Sequence, residues 1–269
     1  MLPDGPNLVL ATAWDVEISE VRPFVESLRR HYQGEVMMLV TSKRSAELVE
    51  YLRSHRIIPV YFDCQIWMVM QVQLARYVRY GEILRGASKQ YVRILLTDAA
   101  DVLFQGDPFN NIPDDELLCF MEVSGRTIGQ CESDSEWIQQ IFGSDALERV
   151  KNYDISCSGT TIGSHRAIVE YIDLLLQPAK PNLMARLMNY RGHDQGIHNY
   201  LLHTGALPKA RLIPNGQHVY TVGRVNDAEI TLGPGGTILA PGARLCPIVH
   251  QYNYKPALLA HVRSAFGLT

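Results

Sequence analysis

The stretch Tyr91-Val-Arg-Ile-Leu-Leu-Thr-Asp-Ala-Ala-Asp-Val-Leu-Phe-Gln-Gly-Asp-Pro-Phe109 decides how this chain folds. Its apolar run through Ile94, Leu95 and Leu96 has the pattern of a fully buried strand, and it leads straight into two acids, Asp98 and Asp101. The carboxyl end of such a strand is where an open α/β sheet presents ligand-binding groups. Two carboxylates placed there point to a divalent cation and a phosphate-bearing substrate. On a straight strand, residues three apart face opposite ways, so the pair converges only if the chain curls between them. As plain structure, Asp98 would cap the following turn and Asp101 would be a solvated loop acid.

Upstream, short apolar runs alternate with helical patterns: Leu8–Thr12, a helix near Val21–Tyr32, Glu35–Thr41, a helix near Ser45–His55, then Ile57–Phe62. This is a βαβαβ rhythm and predicts an α/β fold with a central mixed, mostly parallel sheet flanked by helices. The next helix, about Gln65 to Leu84, sets Ile66, Val69, Gln73, Tyr77, Tyr80 and Leu84 on one mainly apolar face, with Arg76 off it. Downstream, Pro108 and Pro113 punctuate a loop and Leu117–Val123 reads as a strand. Helices are expected at Ser135–Phe142 and His165–Leu176, strands near Arg211–Ile213 and His218–Val222, and a Gly/Pro-rich loop at Gly233–Gly236. With no internal repeat or low-complexity linker, residues 1–269 are expected to form a single domain.

Composition narrows the class. A chain of 269 residues that is 46% hydrophobic can bury a substantial core. A net charge of −3 gives no electrostatic reason to expect nucleic acid or an acidic membrane as partner, and Lys43-Arg44 and Arg29-Arg30 read as solvated helix faces. The five cysteines, at 64, 119, 131, 157 and 246, form no CxxC pair and are odd in number, which fits a reducing cytoplasm. No apolar stretch is long enough to span a bilayer, so no membrane anchor is expected.

Three further segments carry candidate chemistry. In Ser156-Cys-Ser-Gly-Thr-Thr-Ile-Gly-Ser164, Gly159 would let a substrate approach the backbone and Ser158 offers a hydroxyl; the alternative is an ordinary strand with glycine ends. Gly192-His-Asp-Gln-Gly196 opens a helical pattern, with Asp194 and Gln195 in a first turn where the helix dipole alone would favour an acid. The strand-like Cys246-Pro-Ile-Val-His250 delivers a histidine that could complete a carboxylate/imidazole shell for Mn²⁺, or simply be packed, and Lys255 follows as a cation able to neutralise a diphosphate.

In their order, the opening strand ending in Ala11-Thr12, the acidic strand end, the Ser158-Gly159 segment, the Asp194-Gln195 helix start and the late His250-then-Lys255 element resemble GT-A fold glycosyltransferases of the glycogenin type. The resemblance covers about Leu8 to Pro256. It implies a Rossmann-like nucleotide-diphospho-sugar transferase fold, with residues 1–123 as the nucleotide-binding half and 124–269 completing the acceptor and metal sites. The activity it implies is transfer of a hexose from a nucleotide sugar, UDP-linked by family preference, to an unknown hydroxyl acceptor, with Mn²⁺ or Mg²⁺ as cofactor. Asp101 and His250 would be metal ligands. Asp98 would be a third, or would hold the ribose or a metal-bound water. Ala11, Thr12, Arg76, Asp98, Ser158, Gly159 and Lys255 would bind substrate and nucleotide, and Asp194 and Gln195 would face the sugar and acceptor as catalytic groups.

The sequence departs from the family pattern in two places. Two residues rather than one separate Asp98 from Asp101, so Ala99 stands where the family's first acid would fall. The His250-to-Lys255 spacing is short and lacks the intervening glycine. Two other classes compete: a nucleotide-sugar binder without turnover, and a haloacid dehalogenase-type phosphotransferase using Asp98 as nucleophile. The latter motif wants a second acid at position 100, which is Ala.

Overall fold

The computed structural model describes residues 5–41, 45–62, 72–112, 116–178 and 193–268. Along the chain run β1 (Leu8–Ala13), α1 (Ile18–His31), β2 (Glu35–Val40), α2 (Ser45–Ser54), β3 (Ile58–Tyr61), α3 (Val72–Gly86), β4 (Ile94–Asp98), β5 (Val102–Phe104) and β6 (Leu117–Met121). There follow α4 (Glu132–Phe142), α5 (Ser144–Val150), β7 (Ser156–Gly163), α6 (His165–Leu176), α7 (His193–His203), β8 (Ala210–Ile213) and β9 (Val219–Thr221). The chain ends with β10 (Thr231–Leu232), β11 (Ile238–Ala240), β12 (Arg244–Leu245), β13 (Ile248–His250) and α8 (Pro256–Ala265).

Seven strands form a mixed sheet in the order β3-β2-β1-β4-β7-β6-β8. β1 runs parallel to β2 and β4, β2 to β3, and β6 to β8, while β7 is antiparallel to both β4 and β6. The burial of both faces of β1 explains why the strand is apolar from Leu8 to Ala11. Val9, Ala11 and Ala13 enter the core beneath α1 and α2, and Leu8 and Leu10 enter the opposite core with Tyr77, Tyr80 and Tyr171 of α3 and α6. This is a Rossmann-like α/β arrangement with helices on both faces.

Two topological details position the candidate site. After β1 the chain lays β2 and β3 to one side, then crosses to place β4 on the other, so the order reverses between β1 and β4. Thr12 and Asp98 are register partners at the carboxyl ends of those two strands. Open α/β sheets bind ligands at such a switch point. The chain then curls through Ala99, Ala100 and Asp101 and leaves the large sheet, because β5 pairs with β13 in a small sheet ordered β5-β13-β9. That pairing sets His250 opposite Val102. The remaining small sheet joins β10, β11 and β12.

The helix expected from Gln65 is described from Val72 onward, so Ile66 and Val69 lie outside the described residues, as do Cys64, Pro113 and Gly192. Tyr77, Tyr80 and Leu84 are buried, but Gln73 is exposed, and Arg76, expected off the packed face, is only 5% exposed. The cause is that α3 packs against α7 as well as α6, so a second flank of the helix is covered. No helix among the described residues is long and apolar enough to cross a membrane.

Candidate metal centre

Asp98, Asp101 and His250 come together although the histidine lies far along the chain. Each offers one ligand atom, and these atoms lie within 4.8 Å of one another. His250 Nε2 is 3.6 Å from Asp101 Oδ2 and 3.8 Å from Asp98 Oδ2. The approach depends on the backbone immediately after His250. Gln251 takes a left-handed conformation at φ 61°, which costs a non-glycine residue energy and turns its N–H onto the carbonyl of Asp101 at 2.8 Å.

Gly159 on the adjoining β7 strand makes the close packing possible. A Cβ there would lie 2.5 Å from His250 Cε1 and 2.7 Å from Asp98 Oδ2. The sequence suggests Gly159 as the point of substrate approach; what presses on it here is the imidazole and carboxylate of the cluster itself.

Arg76 is the cation of the site. It donates from Nη1 to Asp98 Oδ1, and from Nη2 to Asp194 Oδ2 at 3.0 Å. Ser158 Oγ donates to the same Asp194 oxygen at 3.2 Å. Burial pushes the Asp98 carboxyl up, but Arg76 and His250 outweigh it and hold it down at about 2. Burial pushes Asp101 up, to about 6, against the pull of His250 and with a further push from the negative Asp98. Burial disfavours charge on His250, yet Cys157 and the two aspartates prevail and keep the imidazole protonated well above its ordinary range. Burial also raises Asp194, with Arg76 opposing.

Beside the cluster opens a cleft of about 250 Å³, lined by Thr12, Trp14, Gln73, Arg76, Asp98, Asp101, Asn253 and Tyr254 among others. A larger cavity of about 440 Å³ lies elsewhere, lined mainly by aliphatic groups such as Leu117, Leu174 and Leu207, without convergent metal-binding side chains. Chemistry rather than volume selects the smaller cleft.

A divalent cation fits the cluster on two counts. Two carboxylates and an imidazole form a hard-to-borderline donor set suited to Mn²⁺ or Mg²⁺. His250 Nε2 and Asp101 Oδ1 are also buried without a hydrogen-bond partner, a costly condition that coordination would relieve.

The remaining expected residues are placed as follows. Thr12 lines the cleft, its hydroxyl 2.5 Å from that of Tyr80. Ala11 does not; it is fully buried in the sheet, because the alternation that exposes Thr12 turns Ala11 into the core. Ser158 is buried and its hydroxyl is spent on Asp194. Asp194 itself sits behind Arg76, 4% exposed. Gln195 turns away, donating to Asp134 at 3.0 Å and Glu122 at 3.4 Å. Lys255 is held by Asp227 at 2.8 Å and by the Val225 carbonyl at 2.6 Å, and it is Arg76 that supplies positive charge to the cluster.

Trp14, Gln73, Asn253 and Tyr254 escape sequence reasoning. Tyr254, 66% exposed, was legible only as an aromatic shortly after His250. Compared with known proteins, the chain matches no family model and no curated protein.

Proposed function

We propose that this protein is a divalent-cation-dependent glycosyltransferase of the GT-A type, moving a hexose from a nucleotide sugar, UDP-linked in the first instance, to a hydroxyl acceptor in the cytoplasm. The observation that carries this reading is the convergence of Asp98, Asp101 and His250 beside a cleft at the β1/β4 switch point. Asp101 and His250, with Asp98 Oδ2, would hold Mn²⁺ or Mg²⁺. When bound, the ion supplies positive charge to the leaving diphosphate, where cleavage of the sugar–phosphate bond concentrates negative charge. Arg76 is fixed between Asp98 and Asp194 and adds a permanent cation to the cleft wall. Trp14 and Tyr254 give the cleft aromatic surface suited to a nucleobase.

One observation favours a second reading, a nucleotide-sugar binder without turnover. Asp194 sits behind Arg76, which with Ser158 holds its Oδ2, and does not line the cleft, while Asp98 is held by Arg76 through Oδ1 and faces the cluster with Oδ2, so neither carboxylate is presented to an acceptor as a base.

Thermal melting with a panel of nucleoside diphosphates and nucleotide sugars, with and without Mn²⁺, tests the pocket. A ligand at a hundred times its dissociation constant stabilises by about 2.7 kcal/mol, roughly a 5–10 °C rise at this chain length. Release of free sugar from the stabilising donor separates the enzyme from the binder. Melting that is indifferent to Mn²⁺ and to every nucleotide sinks both readings, and an acid-labile phosphoenzyme on Asp98 would replace them with phosphoryl transfer.

A further inference from the structure

An imidazole that ligates through one nitrogen is oriented by whatever holds the other. His250 presents Nε2 to Asp98 and Asp101 and is 1% exposed, so water does not serve its far side. There the described residues give Nδ1 one hydrogen-bonding contact, Cys157 Sγ at 3.7 Å. Cys157 and Gly159 both reach the imidazole from β7, across the stretch where its pairing with β6 shifts register: Cys157 meets Nδ1, and Gly159 lies against the Cε1 edge. Gln251 holds the sulfur from a second direction, with Nε2 at 3.8 Å.

We infer that Cys157 is a positioning residue of the metal centre, whose sulfur accepts the Nδ1 hydrogen of His250 and thereby fixes the tautomer with its Nε2 lone pair toward Asp98 and Asp101. This rests on the divalent-cation reading of the cluster. A thiol suits the position because its sulfur can accept a hydrogen bond weakly without bringing a charge. A carboxylate, the more usual partner of a metal-bound histidine, would add a third negative charge beside the two aspartates.

The test compares wild-type protein with Cys157→Ala, Cys157→Ser and, as a control, Cys119→Ala, another fully buried free cysteine in the same sheet. Free Mn²⁺ is titrated by electron paramagnetic resonance, and ¹⁵N NMR of the Mg²⁺-loaded protein reads the tautomer of His250. Cys157→Ala is expected to weaken Mn²⁺ binding roughly ten- to a hundredfold and to lose the single Nδ1–H signature, while Cys157→Ser stays within about threefold of wild type. Cys119→Ala is expected to match wild type in both measurements.

If wild-type protein binds Mn²⁺ and Cys157→Ala keeps both its affinity and its ¹⁵N pattern, the role of Cys157 is overturned alone. If wild-type protein takes up no Mn²⁺, the metal centre falls and this role with it. A loss in Cys157→Ala that Cys157→Ser does not restore, together with a lowered metal-free melting temperature, would show a packing effect and also overturn the inference.

Discussion

Two pairs of acids sit at or beside strand ends in this protein, each with an arginine beside it, and their partners are arranged differently. At the end of β6, Glu122 meets Asp134 of α4; the two are 2% and 0% exposed and face Arg224, at 3.1 and 3.8 Å, while Gln195 donates to both. Cation and amide are shared across that pair, although Glu122 Oε2 and Asp134 Oδ2 meet Arg224 only as ion-pair contacts, without a hydrogen bond. At the end of β4, Arg76 engages one oxygen of Asp98 and turns its other nitrogen to Asp194. Asp98 Oδ2, Asp101 and the His250 imidazole are left facing one another, with an open cleft alongside. Acid count, burial and unpaired oxygens do not separate a site from a brace; what separates the two pairs is that one amide and one cation span both acids of the first, while an imidazole and a cleft face the second.

The sharpest way to break this contrast is to remove ligands from one pair and the cation from the other. Asp101→Ala combined with His250→Ala is expected to lower Mn²⁺ affinity at least about a thousandfold, a loss of about 4 kcal/mol in binding. Glu122→Gln, by contrast, should leave that affinity at its wild-type value. Titration of both variants would decide it, and equal losses would mean that the β6 pair belongs to the metal site. Next in size, Arg224→Ala strands two buried acids. Because the Arg224 side chain is 28% exposed, the cost should fall below that of a fully buried ion pair, at about 2 kcal/mol or roughly 4–8 °C in melting temperature. Adding Glu122→Gln should recover part of the loss, since the remaining acid then lacks a like charge beside it. Unchanged melting in Arg224→Ala would show that the brace carries no stability.

The difference between the two pairs also marks how far sequence reasoning reaches. The βαβαβ rhythm and the acidic strand end were legible because a strand buried on both faces reads as a continuous apolar run, as Leu8 to Ala11 and Ile94 to Leu96 do. Asp98, Asp101 and His250 could be named as candidates from residue type and position. Their meeting depends on β5 pairing with β13, a contact between distant segments that no local pattern encodes. The burial of Arg76 is hidden for a similar reason: helical spacing assigns one packed face, and α3 is covered on two, while Arg76 still lines the cleft. Lys255 looked available because its spacing from His250 was visible while its partners, Asp227 and the Val225 carbonyl, were not. The β6 brace left no signal at all, since Glu122, Asp134, Gln195 and Arg224 are joined only by the fold.

The smallest expected effect, taken per pH unit above about pH 6, is a slope in metal affinity that only the candidate metal-binding cluster should show. Asp101, raised by burial to about 6, and His250, held protonated above its ordinary range by Cys157 and the aspartates, must give up their protons before both can ligate. Without metal, each raised group contributes stability that is complete below its unfolded pKa and fades as pH rises through its folded one. Metal affinity therefore runs the other way and rises with pH. Above about pH 6 one imidazolium proton is displaced and the rise should be roughly tenfold per unit; below it the Asp101 proton leaves as well and the rise should approach about a hundredfold per unit. Burial raises Glu122 too, but its proton is not exchanged for an ion, so Glu122→Gln should leave both slopes intact. Mn²⁺ titrations between pH 5 and 8 would read the two slopes. A flat profile would mean that the ion, if it binds, does not displace protons from Asp101 and His250, and the distinction drawn between the two acid pairs would lose its chemical basis.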